Sequence, residues 1–359
     1  MARRIVLAAV LALALSGSSV AEVRAGDSTP VESSGPLRSF DLAASGDILV
    51  HSSVWKRARA YATGGARFDF RPMFAQVRSL IEPYDLALCH LETPLSRNDT
   101  SLSSYPVFNT PHEIADAIRY AGYDGCSTAS NHSLDQGSAG IDSTLDWLEK
   151  KGLGHAGTAR TKAESRGTTF YDVNGVQVAH LSYAYGFNGF VPRHPWEVNR
   201  IRSKMIIADA KRARDRGAEF TIVSLHWGWE YVTMPSGYQR RVARQIMRSP
   251  AADLILGHHA HTVQPIGFRS QKVVVFGMGN FLSGMFRTAD RPGVQDGVVV
   301  HLMVQEQAGG DLEVSDVSYT PTWVDAGSWK ISPATGASRT RTIKAINRMG
   351  ANDDGVHPD

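Results

Sequence analysis

The chain predicts an α/β protein in which two β-sheets pack together with helices on the outside, and three observations predict it. Short apolar runs rich in Val, Ile and Leu alternate with amphipathic stretches of helical spacing. That pattern marks βαβ units whose mostly parallel strands are covered on both faces. Two other segments read as hairpins and add antiparallel strands. Finally, the polar residues able to ligate or catalyse fall at the ends of the strand candidates, where parallel α/β sheets gather their ligands.

The strand candidates are Phe40–Val50, Asp85–Leu91, Gly122–Ala129, Phe220–Leu225, Asp253–Leu256 and Lys272–Phe276. Between them, helical spacing predicts helices over Pro72–Ile81, Pro111–Ala121, Gly137–Lys151, Ile201–Arg216 and Tyr238–Arg248. Thr168–Asp172 and Val176–Ser182 flank Asn174-Gly175, a dipeptide suited to a tight hairpin turn. Gly297–Val304 and Asp311–Thr320 form a second such pair around Gly309-Gly310. This domain is expected to occupy residues 38–325, and the Ser, Thr, Arg and Gly-rich tail at 326–359 is expected to be poorly ordered at its end.

At the N-terminus, Arg3 and Arg4 precede an apolar run from Ile5 to Leu15, and small residues lead to Val23-Arg24-Ala25. This reads as a signal peptide over residues 1–25, followed by a flexible lead-in at 26–37, and places the mature protein outside the cytoplasmic membrane. The apolar run is short for a membrane anchor, which needs about 20 residues. Removing Arg3, Arg4, Glu22 and Arg24 takes the formal charge from +3 to +1. Such a balance offers no electrostatic footprint for nucleic acid. The two cysteines, Cys89 and Cys126, both lie in strand-like runs and form either a disulfide or two buried thiols.

The polar strand ends carry the chemistry. In order they are Gly46-Asp47 with His51 beyond, His90-Leu91-Glu92, Asn131-His132 with Asp135, Leu225-His226, Gly257-His258-His259-Ala260-His261 and Gly279-Asn280. Singly, each has a structural reading as a turn, a cap or a satisfied core histidine. Together they supply oxygen and nitrogen ligands suited to one or two divalent ions such as Mn, Fe or Zn. A carboxylate between two histidine-rich halves has the chemistry to bridge a pair of ions. Two alternating aromatic sets, Trp227/Trp229/Tyr231 and Tyr183/Tyr185/Phe187, serve either as packing or as a wall over the site. Arg193, His194 and Arg200 fit a solvated face or an anionic substrate.

From about Ser39 to Thr322, the order of these motifs resembles the CapA-type capsule-synthesis proteins, which are linked to poly-γ-glutamate capsule formation. That family is in turn similar to the calcineurin-type metallophosphoesterases, which implies a four-layer α/β/β/α sandwich. The resemblance implies Asp47 as a metal ligand, Glu92 as the bridging carboxylate, and Asn131 as a neutral oxygen ligand. His226, His259 and His261 would complete the metal shells, while the double histidine leaves the part of His258 open. Leu49 stands where the wider superfamily carries a histidine, and His51 is the compensating ligand. His132 would be the acid for the leaving group, with Asp135 orienting it. The implied activity is a metal-dependent hydrolase that uses metal-bound water on a phosphoester or an anionic polymer. The alternative is a non-catalytic accessory factor that binds such a polymer or the membrane subunits of a capsule synthase.

Overall fold

Strand β1 (Ser39–Leu49) runs through the middle of the larger sheet in the computed structural model, which describes residues 37–359. The expected signal peptide lies outside the described residues. Parallel to β1 run β2 (Leu86–Leu91), β3 (Gly125–Ser127) and β4 (Gly154–Ala156), in that spatial order. The second sheet contains β5 (Thr169–Val173), β6 (Val176–Ala184), β7 (Phe220–His226), β8 (Leu254–His258), β9 (Ile266–Arg269) and β10 (Lys272–Val275), ordered β5-β6-β7-β8-β10-β9. Returning to the first sheet, β11 (Asn280–Ser283) pairs with the end of β1, while β12 (Asp296–Glu306), β13 (Leu312–Val324) and β14 (Ile331–Pro333) extend its other side antiparallel. The short β15 (His357–Pro358) joins β13.

Side-chain alternation separates the layers. Phe40, Leu42 and Ala44 of β1 meet Val178, Phe220, Ile222, Leu254 and Leu256 of the other sheet, forming a dry seam between the two. On the outer face, Ala43, Ala87 and Cys89 pack under helices α1 (Ser52–Tyr61), α2 (Arg71–Phe74) and α3 (Ile114–Ala121). Helix α4 (Gly137–Lys150) lies over the end of this sheet, with Ile141 and Leu145 against Ala129 and Leu134. Across the molecule, Val223, Leu225 and Ile255 pack under α5 (Ser203–Asp215) and α6 (Gly237–Met247). Each fully buried Leu, Ile or Val contributes about 1.5–3 kcal/mol. The expected four-layer α/β/β/α sandwich is therefore the architecture observed.

Several local expectations change. Pro72–Ile81 is not one helix: it forms the single turn α2 and a 3₁₀ turn over Arg78–Leu80. It nonetheless buries Met73, Phe74, Val77 and Ile81. The tail after Asp325 is ordered. It supplies β14, helix α7 (Gly336–Ile346) and β15, with Ile346 in the seam and Arg341 and Ser338 both bonded to the buried Asp296. Its Ser and Thr content suggested a loop, but Thr342, Ala345 and Ile346 supply a narrow buried stripe. Asn174 and Gly175 have φ of 53° and 79°, as a tight hairpin between β5 and β6 requires. Cys89 and Cys126 are direct neighbours across β2 and β3 and are joined as a disulfide.

Candidate metal centre

A kink in β1 aims the first ligand. Ala44 faces the seam and Ser45 faces the helices, where its hydroxyl meets that of Tyr123 at 2.5 Å. Strict alternation would then send Asp47 to the helix side, the face of Ala43. Instead the register with β2 shifts between Ala44 and Asp47, so Gly46 acts as an extra residue and Asp47 turns into the seam. Gly46 is required by contact: a Cβ there would lie 2.1 Å from the Gly279 carbonyl oxygen, which itself accepts from Asp47 N–H at 2.9 Å. Gly46→Ala is accordingly expected to destabilise the protein by about 1–3 kcal/mol. A thermal melt indistinguishable from wild type would contradict this placement of Asp47.

The strand ends then converge between the sheets. Asp47 Oδ1 lies 3.3 Å from His258 Nδ1, and its Oδ2 lies 3.2 Å from both His261 Nδ1 and His259 N–H. Glu92 Oε1 stands 3.8 Å from His226 Nε2 and 3.8 Å from His261 Nε2. Asn131 Oδ1 lies 2.8 Å from His226 Nε2, and its amide donates to Asn188 at 3.3 Å. His259 and His261 both hold positive φ, at 87° and 52°, a strained backbone of the kind found where ligands are clamped. Three overlapping groups offer ligand atoms within 4.8 Å of one another: Asp47/His90/His258, His90/Glu92/His226 and Glu92/His259/His261.

Electrostatics set the protonation states. Burial pulls the pKa of His90 and His226 well below the usual imidazole value, and neighbouring histidines push the same way. For His259, burial and then His261 lower it to about 3. Burial also acts downward on His261, but Glu92 and Asp47 outweigh it and raise this ring to about 9. Burial acts upward on Asp47, yet the close approach of the His258 and His261 rings, at 3.3 and 3.2 Å, holds it below the ordinary carboxylate range. Glu92 is the exception. Burial raises its pKa well above normal, and neither of its oxygens finds a hydrogen-bond partner among the described residues. His259 Nδ1, His258 Nδ1 and Asp47 Oδ1 are likewise buried without a hydrogen bond. Buried polar atoms are nearly always paired. Orphaned carboxylate and imidazole atoms turned toward one another therefore fit a divalent cation.

Not every expected residue joins. His51 lies outside all three groups; its Nδ1 contacts the Leu49 carbonyl oxygen and receives Gly284 N–H, each at 3.1 Å. As the N-cap of α1 it is held against Phe108, and burial lowers its pKa to about 4. His132 stands beside the cluster, its Nδ1 2.8 Å from Asp135 Oδ2, an oxygen that also accepts Phe108 N–H at 2.7 Å. The aromatic sets divide where the chain leaves β6 at Ala184 and β7 at His226. Tyr183, Phe187 and Trp227 are buried core, whereas the Tyr185 ring lies tilted 4.6 Å from His259 and Tyr231 lies 6.1 Å from His261 under Arg291. His90 was not expected as a member, although its place at a strand end beside Glu92 carried the signal, and His258, whose part the double histidine left open, lies in the group with Asp47 and His90.

A second polar group sits in the segment that carries Phe108. Asp99 Oδ1 accepts His112 N–H at 3.1 Å, and burial first, then the neighbouring Asp99 carboxylate, raise the pKa of Glu113 to about 8. The folded value lies above the unfolded 4.5, so the folded state binds the extra proton between those values. The stability this contributes is full below pH 4.5 and is lost as pH rises toward 8. Glu113→Gln should flatten the fall in melting temperature across this window; an unchanged profile would contradict the assignment.

A family model described as bacterial capsule synthesis protein PGA_cap matches residues 41–285. The chain is 26% identical over 261 residues to the capsule biosynthesis protein CapA of Bacillus anthracis, covering 70% of this chain and 62% of that protein. It is 27% identical over 274 residues to the PGA biosynthesis protein CapA of Bacillus subtilis, covering 72% and 68%. Among solved structures, the calcineurin-like phosphoesterase YfkN of Bacillus subtilis is similar over 86% of this chain and 96% of that chain, at 17% identity and a TM-score of 0.47.

Proposed function

Since the chain belongs to the bacterial capsule synthesis protein PGA_cap family, we propose that it is a divalent-metal-dependent hydrolase of capsule or envelope polymer, working outside the cytoplasmic membrane. The observation that carries this reading is Glu92, a fully buried carboxylate with two unpartnered oxygens at the meeting point of two sheets' histidines. Asp47, Glu92, Asn131, His226, His259 and His261 would hold the cations. Such ions polarise a phosphoryl or carbonyl oxygen and acidify water.

The remaining roles belong to the chain itself. Asp135 engages Nδ1 of His132 and so leaves Nε2 as the nitrogen able to hand a proton to a departing oxygen. Phe108 packs edge-on to the same ring at 4.7 Å and holds its orientation. Tyr185 beside His259, and Tyr231 beside His261 with Arg291 above it at 4.1 Å, would present a surface to an anionic polymer. One observation favours an accessory role instead: Leu49 replaces a histidine of the wider superfamily, and His51 does not join the cluster. In that case the domain would bind polymer or capsule-synthase subunits.

The test incubates metal-loaded protein with a nitrophenyl phosphodiester and with poly-γ-glutamate, following nitrophenol release and polymer length. Cleavage of either substrate that disappears in Glu92→Leu supports the hydrolase. Intact substrates alongside retained polymer binding would replace it with the accessory reading.

A further inference from the structure

The geometry points to His90, backed by Ser127, as the positioning residue that sets the tautomer of His226 for cation binding. This rests on the metal-centre reading above. His226 turns Nε2 toward Asn131 Oδ1, at 2.8 Å, and toward Glu92 Oε1, at 3.8 Å. A cation held by these three residues takes the lone pair on Nε2, so the neutral ring must carry its proton on Nδ1. That N–H then needs an acceptor among the buried side chains around it.

His90 Nε2 lies 2.9 Å from His226 Nδ1. To accept there, His90 must carry its own proton on Nδ1, which lies 2.7 Å from Ser127 Oγ. Ser127 can accept it because its hydroxyl donates onward to the Cys89 carbonyl oxygen at 3.4 Å. Every donor in this file of three side chains has an acceptor, and all are fully buried. The same contacts also satisfy the reverse direction, with His226 Nε2–H donating to Asn131 and Ser127 donating to His90. Cation binding selects the first direction. Metal-binding histidines are usually oriented by a carboxylate, a carbonyl or water, and loss of that partner typically weakens metal affinity 10–100-fold. Here an imidazole fills the role, its ring stacked on that of His258 at 4.1 Å.

The test measures Zn²⁺ and Co²⁺ affinity of the full chain by competition with a chelator, for wild type, His90→Leu, His90→Gln and Ser127→Ala. His90→Leu, with no acceptor for Nδ1–H, should bind about 10–100-fold more weakly. His90→Gln places a carbonyl oxygen near the position of Nε2 and should return affinity to within about threefold of wild type. Nitrogen-15 spectra of the Zn²⁺-loaded protein should show His226 protonated at Nδ1. Equal affinity in His90→Leu, or a glutamine variant as weak as the leucine one, would overturn the inference and leave the metal centre standing. If His90→Leu does not fold, Ser127→Ala carries the test: weaker binding supports the relay and unchanged binding overturns it. Wild-type protein that takes up neither ion would overturn the metal-centre reading, and this inference with it.

Discussion

Glu92→Leu is expected to raise the melting temperature of the metal-free protein while abolishing its capacity to hold a divalent cation. Both oxygens of Glu92 are buried and lack hydrogen bonds. An unsatisfied buried polar group costs about 1–3 kcal/mol, and leucine fills similar space without that cost. For a protein of this size, 1 kcal/mol corresponds to a rise of about 2 °C. The same change removes the carboxylate shared by two of the three ligand groups, those with His90 and His226 and with His259 and His261. A residue retained at a cost to the fold, but needed for a ligand, is how a functional site trades stability for activity. A metal-free variant that melts several degrees below wild type would show that Glu92 supports the fold directly, and would contradict the account.

His132→Asn should lower kcat by about 10²–10⁴-fold while leaving metal content and KM near wild type. The separation is expected because His132 stands beside the cluster and outside the three ligand groups. Its Nδ1 is bound to Asp135 and its ring leans on Phe108. Asp135→Asn should be milder in kcat but should also loosen the Phe108 segment, since the same oxygen accepts Phe108 N–H at 2.7 Å. Loss of bound metal in His132→Asn would instead make this residue a ligand and remove the case for it as the acid.

The layered fold was legible because alternating apolar strands and amphipathic helices leave few ways to bury both faces of a mostly parallel sheet. Strands β7, β8 and β10 and helices α3 to α6 lie within a few residues of their expected places. Helix α1 was not legible. It buries only Val54 and Ala58 and presents Lys56, Arg57 and Arg59 outward, so it lacks a broad apolar stripe. Strand β11 escaped because its four residues read as a loop motif, and their pairing with β1 is a tertiary contact.

The site divides in the same way. Residue types at strand ends announced Asp47, Glu92, Asn131, His226, His259 and His261, because the end of a parallel strand is a fixed place in the fold. The direction of a side chain after an irregular step is not. Gly46 turns Asp47 inward through a register shift that composition cannot show. His51, four residues beyond Asp47, sits at the N-cap position of α1 and its ring accepts Gly284 N–H, which spacing alone could not foresee. His90 needed the third dimension too, because its meaning lies in contacts with His226 and Ser127 from distant parts of the chain.

The most direct test of the metal centre is elemental analysis of the purified protein after reconstitution with Mn²⁺, Fe²⁺ or Zn²⁺, beside Asp47→Ala and His259→Ala. About one to two tightly held ions per chain are expected, as a site of this chemistry would bind, with the ions lost from both variants. Stoichiometry near zero in wild type under all three metals would contradict the metal centre.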